Sequence, residues 1–221
     1  MGAACRRRAR TSLGTASGSD PRNWHDPAMP SEAVLYFDVG SPYSYLAVER
    51  VAQVLGHEPA FQPVLLGALF GLRGRGSWSV GDPARRAAGM LEVQSRAALY
   101  GLPPVRWPQP WPGNYLTAMR IAVWAQRQGA AAAFARCAGR RAFVHGRDLS
   151  RAEEAAAAAG DAGLDPVAAM RAAGDPKVKA ALREATEAAF ARGVRGVPTL
   201  AVGGELLWGD DRLDEAAFAP A

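Results

Sequence analysis

The sequence predicts an α/β fold in which one small sheet is interrupted by an inserted all-helical domain. Three observations carry this expectation. Short apolar, β-rich runs occur only near the two ends, at 33–39 and 61–66 and again at 199–202 and 205–208. Between them, from Pro83 to about Gly193, the chain is Ala-rich, Arg-studded and helix-periodic, broken by Pro and Gly. The terminal strands must meet to make one sheet, so the helical block is an insertion into it. The expected division is an α/β domain of 31–75 with 194–221, a helical insertion of 76–193, and a disordered or non-native extension over 1–30.

The elements follow from local chemistry. Ala33–Val39 is a buried strand, stopped by Gly40-Ser41-Pro42. Ser41 is a good N-cap and Pro42 a good first helical residue, because its missing N–H has no partner there in any case. The helix that follows puts Ala47, Val48, Val51, Val54 and Leu55 on one face, and Gly56 ends it. Phe61–Leu66 reads as a second strand, with Pro63 marking an edge. Helices are expected near 83–100, 114–128, 130–145, 150–162, 166–173 and 176–192. Leu102–Gly113, with five prolines and two tryptophans, is a rigid loop between the first two. Thr199–Val202 and Glu205–Trp208 flank Gly203-Gly204, the signature of a two-residue hairpin turn. Gly209-Asp210-Asp211-Arg212 opens a short last helix.

Composition narrows the function. The 221 residues carry 49% hydrophobic and 21% charged side chains and a formal charge of +5, the balance of a globular chain. Residues 1–30 hold five arginines against two aspartates, a net of +3, which leaves only +2 on the rest. The basic character therefore belongs to the start of the chain, and a nucleic-acid surface on the folded part is not expected. That start reads as the extension named above, with Met29 as an alternative first residue, or as a transit peptide. No apolar run is long enough for a membrane span, and a cytoplasmic location is the expectation. Cys5 and Cys137 make neither a CxxC pair nor a zinc site, and His25, His57 and His145 are scattered, so no metal site is expected. Cys137, on an apolar helix face, reads as core.

Two segments carry the chemistry: Phe37-Asp38-Val39-Gly40-Ser41-Pro42-Tyr43-Ser44-Tyr45-Leu46 at the strand-to-helix junction and Gly196-Val197-Pro198-Thr199 ahead of the hairpin. In a thioredoxin fold the first of these places holds CxxC, and opposite it lies the residue before a cis-proline, whose backbone receives an extended peptide. Here both sulfurs are hydroxyls, and Val197-Pro198 fits the facing position. The fold expected is thus a thioredoxin-like sheet with an inserted all-helical domain. Disulfide cycling is not expected, because neither Ser41 nor Ser44 can enter a disulfide.

On the pieces FDVGSPYSYLA (37–47), LYGLP (99–103), PGNYLTAMR (112–120) and GVPTLAVGGELLWGDDRL (196–213), the chain resembles the 2-hydroxychromene-2-carboxylate isomerases and their relatives, the kappa-class glutathione transferases. The resemblance implies glutathione as cofactor and Ser41 as the catalytic serine. It implies Ser41, Pro42, Tyr43, Val197 and Pro198 around the cysteinyl part, and Asp210, Asp211 and Arg212 at the γ-glutamyl end. Asn114 and Tyr115 are implied on the side of a small aromatic substrate, and a homodimer is a further expectation. At 77–82, where the family often carries an Asn, this chain has Ser77-Trp78-Ser79-Val80-Gly81-Asp82, and the isomerases' Lys near Leu69–Gly71 has no counterpart beyond Arg73 and Arg75. Two other readings accompany these. Asn114 serves as a helix cap, and Asp210-Asp211-Arg212 serves as a cap with a surface salt bridge. Trp78, Trp107, Trp111 and Trp208, with Tyr43 and Tyr115, either line an aromatic cleft or pack in loops. The functions in competition are a glutathione-dependent isomerase, a conjugating transferase and a non-enzymatic peptide-binding module.

Overall fold

The computed structural model describes residues 33–74 and 76–218; the expected extension over 1–30 lies outside them. A mixed four-stranded sheet has the order β2-β1-β3-β4. Its strands are β1 (Val34–Phe37), β2 (Ala60–Pro63), β3 (Thr199–Val202) and β4 (Glu205–Trp208). β1 runs parallel to β2, and β1–β3 and β3–β4 are antiparallel. The two chain ends therefore share one sheet, with Leu35 of β1 opposite both Phe61 and Leu200.

Around the sheet lie α1 (Pro42–Leu55), α2 (Leu66–Arg73), α3 (Pro83–Leu99), α4 (Leu116–Arg127), α5 (Ala131–Phe143), α6 (Ala152–Asp161), α7 (Pro166–Gly174) and α8 (Pro176–Ala191), and a 3-10 turn over Leu213–Phe218 closes the described chain. Four helices start on the same local device. Ser41, Asp82, Asp165 and Asp175 each accept a first-turn N–H, and a proline follows each of them. The core joins the sheet to the insertion: Leu35 and Phe37 of β1, Leu46 and Val51 of α1, Met119 and Ile121 of α4, and Phe134 and Phe143 of α5 are buried in one cluster. Among the described residues no helix is long and apolar enough to cross a membrane.

Two expectations change. The second strand ends at Pro63 and not at Leu66, and Leu66 instead begins α2, a helix not expected from the sequence. The first strand is trimmed to Val34–Phe37, because Asp38–Gly40 turns toward α1. Pro63 does lie on an edge strand, where a missing N–H costs no ladder bond.

Candidate active site

Ser41 stands at the mouth of α1. Its backbone is extended (φ −90°, ψ 118°) and its Oγ accepts from the Ser44 N–H at 3.2 Å. The hydroxyl proton points across to the Val197 carbonyl at 3.5 Å, the outer limit of a hydrogen bond. Ser41 is buried, and its donor is only loosely engaged. The positive end of α1 favours negative charge at this point.

The facing element is the Gly196–Thr199 loop. The Val197–Pro198 peptide bond is cis, Thr199 Oγ1 donates to the Gly196 carbonyl at 2.8 Å, and the Gly209 N–H donates to the Pro198 carbonyl at 3.0 Å. Among the described residues the Val197 N–H meets no acceptor. Gly196 is required by space: a Cβ there would sit 2.6 Å from Trp208 Nε1.

Between these elements opens a cleft of about 950 Å³. Ser41, Pro42, Tyr43, Asn114, Tyr115, Val197, Pro198, Asp210 and Asp211 all line it, and Arg212 does not. Arg212 is held by Glu215 at 2.6 Å on the surface, as the salt-bridge reading expects. One wall is aromatic. Trp78 packs against Tyr43 and Trp111 with ring centroids 5.9 and 5.5 Å apart, while Trp107 supports Trp111 from behind at 4.6 Å and lies outside the lining. Tyr115 crosses directly over Gly40, where a Cβ would come 2.2 Å from the ring. The N-cap of α4 is Tyr115, without a side-chain cap bond, and Asn114 one residue earlier accepts from the Leu116 N–H at 3.1 Å.

The two aspartates differ. Asp210 is buried, and both its oxygens are committed, Oδ1 to Arg96 at 2.9 Å and Oδ2 to the Tyr100 hydroxyl at 3.1 Å. Arg50 stacks on Tyr100 and donates to the Asp210 carbonyl at 3.1 Å. Asp211 is more than half exposed and touches Arg96 at 3.3 Å, so its carboxylate remains open to the cleft. Arg96 also binds Glu92, which accepts from the Tyr43 hydroxyl at 3.2 Å. Burial, and then Glu92, push the Tyr43 hydroxyl well above its ordinary range, so it stays protonated. Arg96 and Tyr100 belong to the insertion and were not anticipated.

Asp38 was also missed as a functional position. It is buried beside the cleft, and its carboxylate accepts from the Gly40 and Leu66 N–H groups, each at 2.8 Å. It therefore ties the β1–α1 turn to the start of α2. An acid ending an apolar strand was the available signal. Burial pushes its carboxyl up to about 6, against the pull of these two donors. Between about pH 4 and 6 the folded chain keeps a proton that the unfolded chain has lost, so stability falls by roughly 3 kcal/mol as pH rises across that interval. Asp38→Asn is expected to flatten this slope, read as the difference between the two proteins in urea unfolding at a series of pH values. Cys137, half-buried on α5, has its thiol pushed up by burial, which lowers its reactivity.

A thioredoxin-type sheet, a cis-proline loop and a helix mouth without cysteine define the class. The chain belongs to the DSBA-like thioredoxin domain family, whose pattern matches residues 33–219. Within it, the chain is similar to the 2-hydroxychromene-2-carboxylate isomerase of Sphingobium xenophagum, at 29% identity over 185 residues, 81% of this chain and 92% of that protein. The solved structure of a 2-hydroxychromene-2-carboxylate isomerase superposes with a TM-score of 0.74 at 26% identity, covering 85% of this chain and 93% of that one. The fold is shared more distantly with a probable DsbA oxidoreductase from Streptomyces coelicolor, with a TM-score of 0.66 at 19% identity over 86% and 88% of the two chains.

Proposed function

We propose that the cleft binds glutathione and uses it to isomerise a small aromatic substrate of the 2-hydroxychromene-2-carboxylate type. The observation that carries this reading is the loosely engaged Ser41 hydroxyl at the mouth of α1, facing Val197 across the cleft. The isomerase relatives support the reaction class.

The residues present fit a γ-glutamyl thiol. Val197 offers a peptide carbonyl an N–H that meets no acceptor among the described residues, Asp211 offers an open carboxylate to an ammonium group, and Ser41 a hydroxyl to sulfur. When bound, glutathione supplies a nucleophilic sulfur. An ordinary thiol with a pKa of ~8.5 is only about 3% ionised at pH 7, and lowering it by ~2 units asks for ~2.7 kcal/mol of differential stabilisation. The Ser41 hydroxyl and the positive end of α1 supply stabilisation of this kind. Ser41 cannot form a mixed disulfide, so the sulfur stays available. The wall of Tyr43, Trp78 and Trp111 stacks against an aromatic ring and keeps water from it.

The test follows 2-hydroxychromene-2-carboxylate and free thiol together. Turnover is expected to need glutathione while total thiol stays constant through many cycles. Thiol lost in step with substrate would assign a conjugating transferase, and turnover without thiol would overturn the proposal.

A further inference from the structure

Behind the cleft, α2, α4 and α8 enclose a second cavity of about 430 Å³. Its floor is apolar, made chiefly by Leu65, Leu116 and Leu182. At its rim stand Arg120, Lys179 and Arg183 against the single acid Glu187, a local excess of two positive charges. Elsewhere in the fold Arg96, Arg136, Arg140 and Arg141 hold carboxylates, while others such as Arg106, Arg171 and Arg192 are in no salt bridge among the described residues. Among the described residues none of the three rim cations takes part in a salt bridge within 4.0 Å. Arg120 Nε is also buried without a hydrogen-bond partner.

We infer that this cavity is a second ligand site, for a monocarboxylate carrying one or two apolar rings. The volume lies at the lower end of small-molecule sites, which suits a ligand of that size. The leucine floor takes the rings, and Arg120 with Arg183 takes the carboxylate, as planar guanidinium groups do. Leu72 is 49% exposed and stands where a ligand enters. Leu65 and Leu116 line both cavities, so this site and the catalytic cleft share a wall. Thr186 anchors that wall to α8, accepting from the Leu65 N–H at 3.0 Å and donating to the Leu182 carbonyl at 2.7 Å. The inference concerns binding alone and does not depend on glutathione.

Calorimetry with 2-naphthoate on the full chain, without thiol, tests it. Saturable one-to-one binding is expected, weakened about tenfold by Arg183→Gln and by Lys179→Gln, and about tenfold weaker for the neutral 2-naphthamide. Leu182→Trp, which fills the cavity, is expected to abolish it, and Trp78→Ala in the catalytic cleft to leave it within about twofold. Circular dichroism checks that each variant is folded. Lys179→Gln, on the exposed rim, keeps the test open if a buried variant is not. Absence of saturation, equal affinity for the amide, or loss through Trp78→Ala in place of Leu182→Trp would overturn the assignment.

Discussion

Ser41→Ala is expected to lower kcat/KM for the thiol-dependent isomerisation by about 10²–10³-fold, the usual loss when one hydrogen-bond donor to a developing anion is removed. The fold should survive, because the lost N-cap costs only about 1 kcal/mol. The hydroxyl has two engagements, with the Ser44 N–H and with the Val197 carbonyl at 3.5 Å, and only the first supports the helix. Ser41→Cys separates charge stabilisation from covalency. It places a thiol at the same point and, given oxidised glutathione, is expected to exchange to a mixed disulfide with release of one reduced glutathione, which mass spectrometry reads directly. A fully active Ser41→Ala enzyme would leave Ser41 as a cap and nothing more.

Asp210→Ala is expected to cost about 3 kcal/mol in urea unfolding, at the low end for breaking a buried ion pair. The low end applies because Arg96 keeps Glu92 and Asp211. The Tyr100 hydroxyl and the stacked Arg50 lose their anchor in the same step. Asp211→Asn is expected to do the opposite. Its exposed carboxylate contributes under about 0.5 kcal/mol to stability, and its loss should raise the KM for glutathione about tenfold through one missing charged contact. On the proposed reading neighbouring aspartates divide the work: Asp210 builds the floor of the γ-glutamyl end, and Asp211 meets the ligand. Unchanged stability in Asp210→Ala together with lost thiol affinity would reverse that division.

These two residues show how much of the site was legible in the sequence. Ser41-Pro42 announced a helix start because capping is local, and Gly203-Gly204 announced the hairpin because both glycines take positive φ there. The salt bridge from Arg212 to Glu215 spans three residues and was readable in the same way. The buried role of Asp210 was not, because its partner Arg96 lies 114 residues away in the insertion. The same reason hid α2. Its N-cap position is Leu65, which has no capping side chain, and its sequence carries Gly67 and Gly71. Its first N–H is satisfied from Asp38, 28 residues upstream. A helix capped across the fold leaves no local signature. Trp78 and Trp111 belong to both readings offered for them, since they pack on each other and line the cleft together.

The central claim is that Ser41 keeps a bound sulfur ionised, and ultraviolet titration of the thiolate in the glutathione complex tests it most directly. The wild-type complex is expected to titrate about 2 units below the free-thiol value of ~8.5, and the Ser41→Ala complex to return most of the way toward it. Equal titration midpoints in the two complexes, or no displacement in the wild type, would contradict the account.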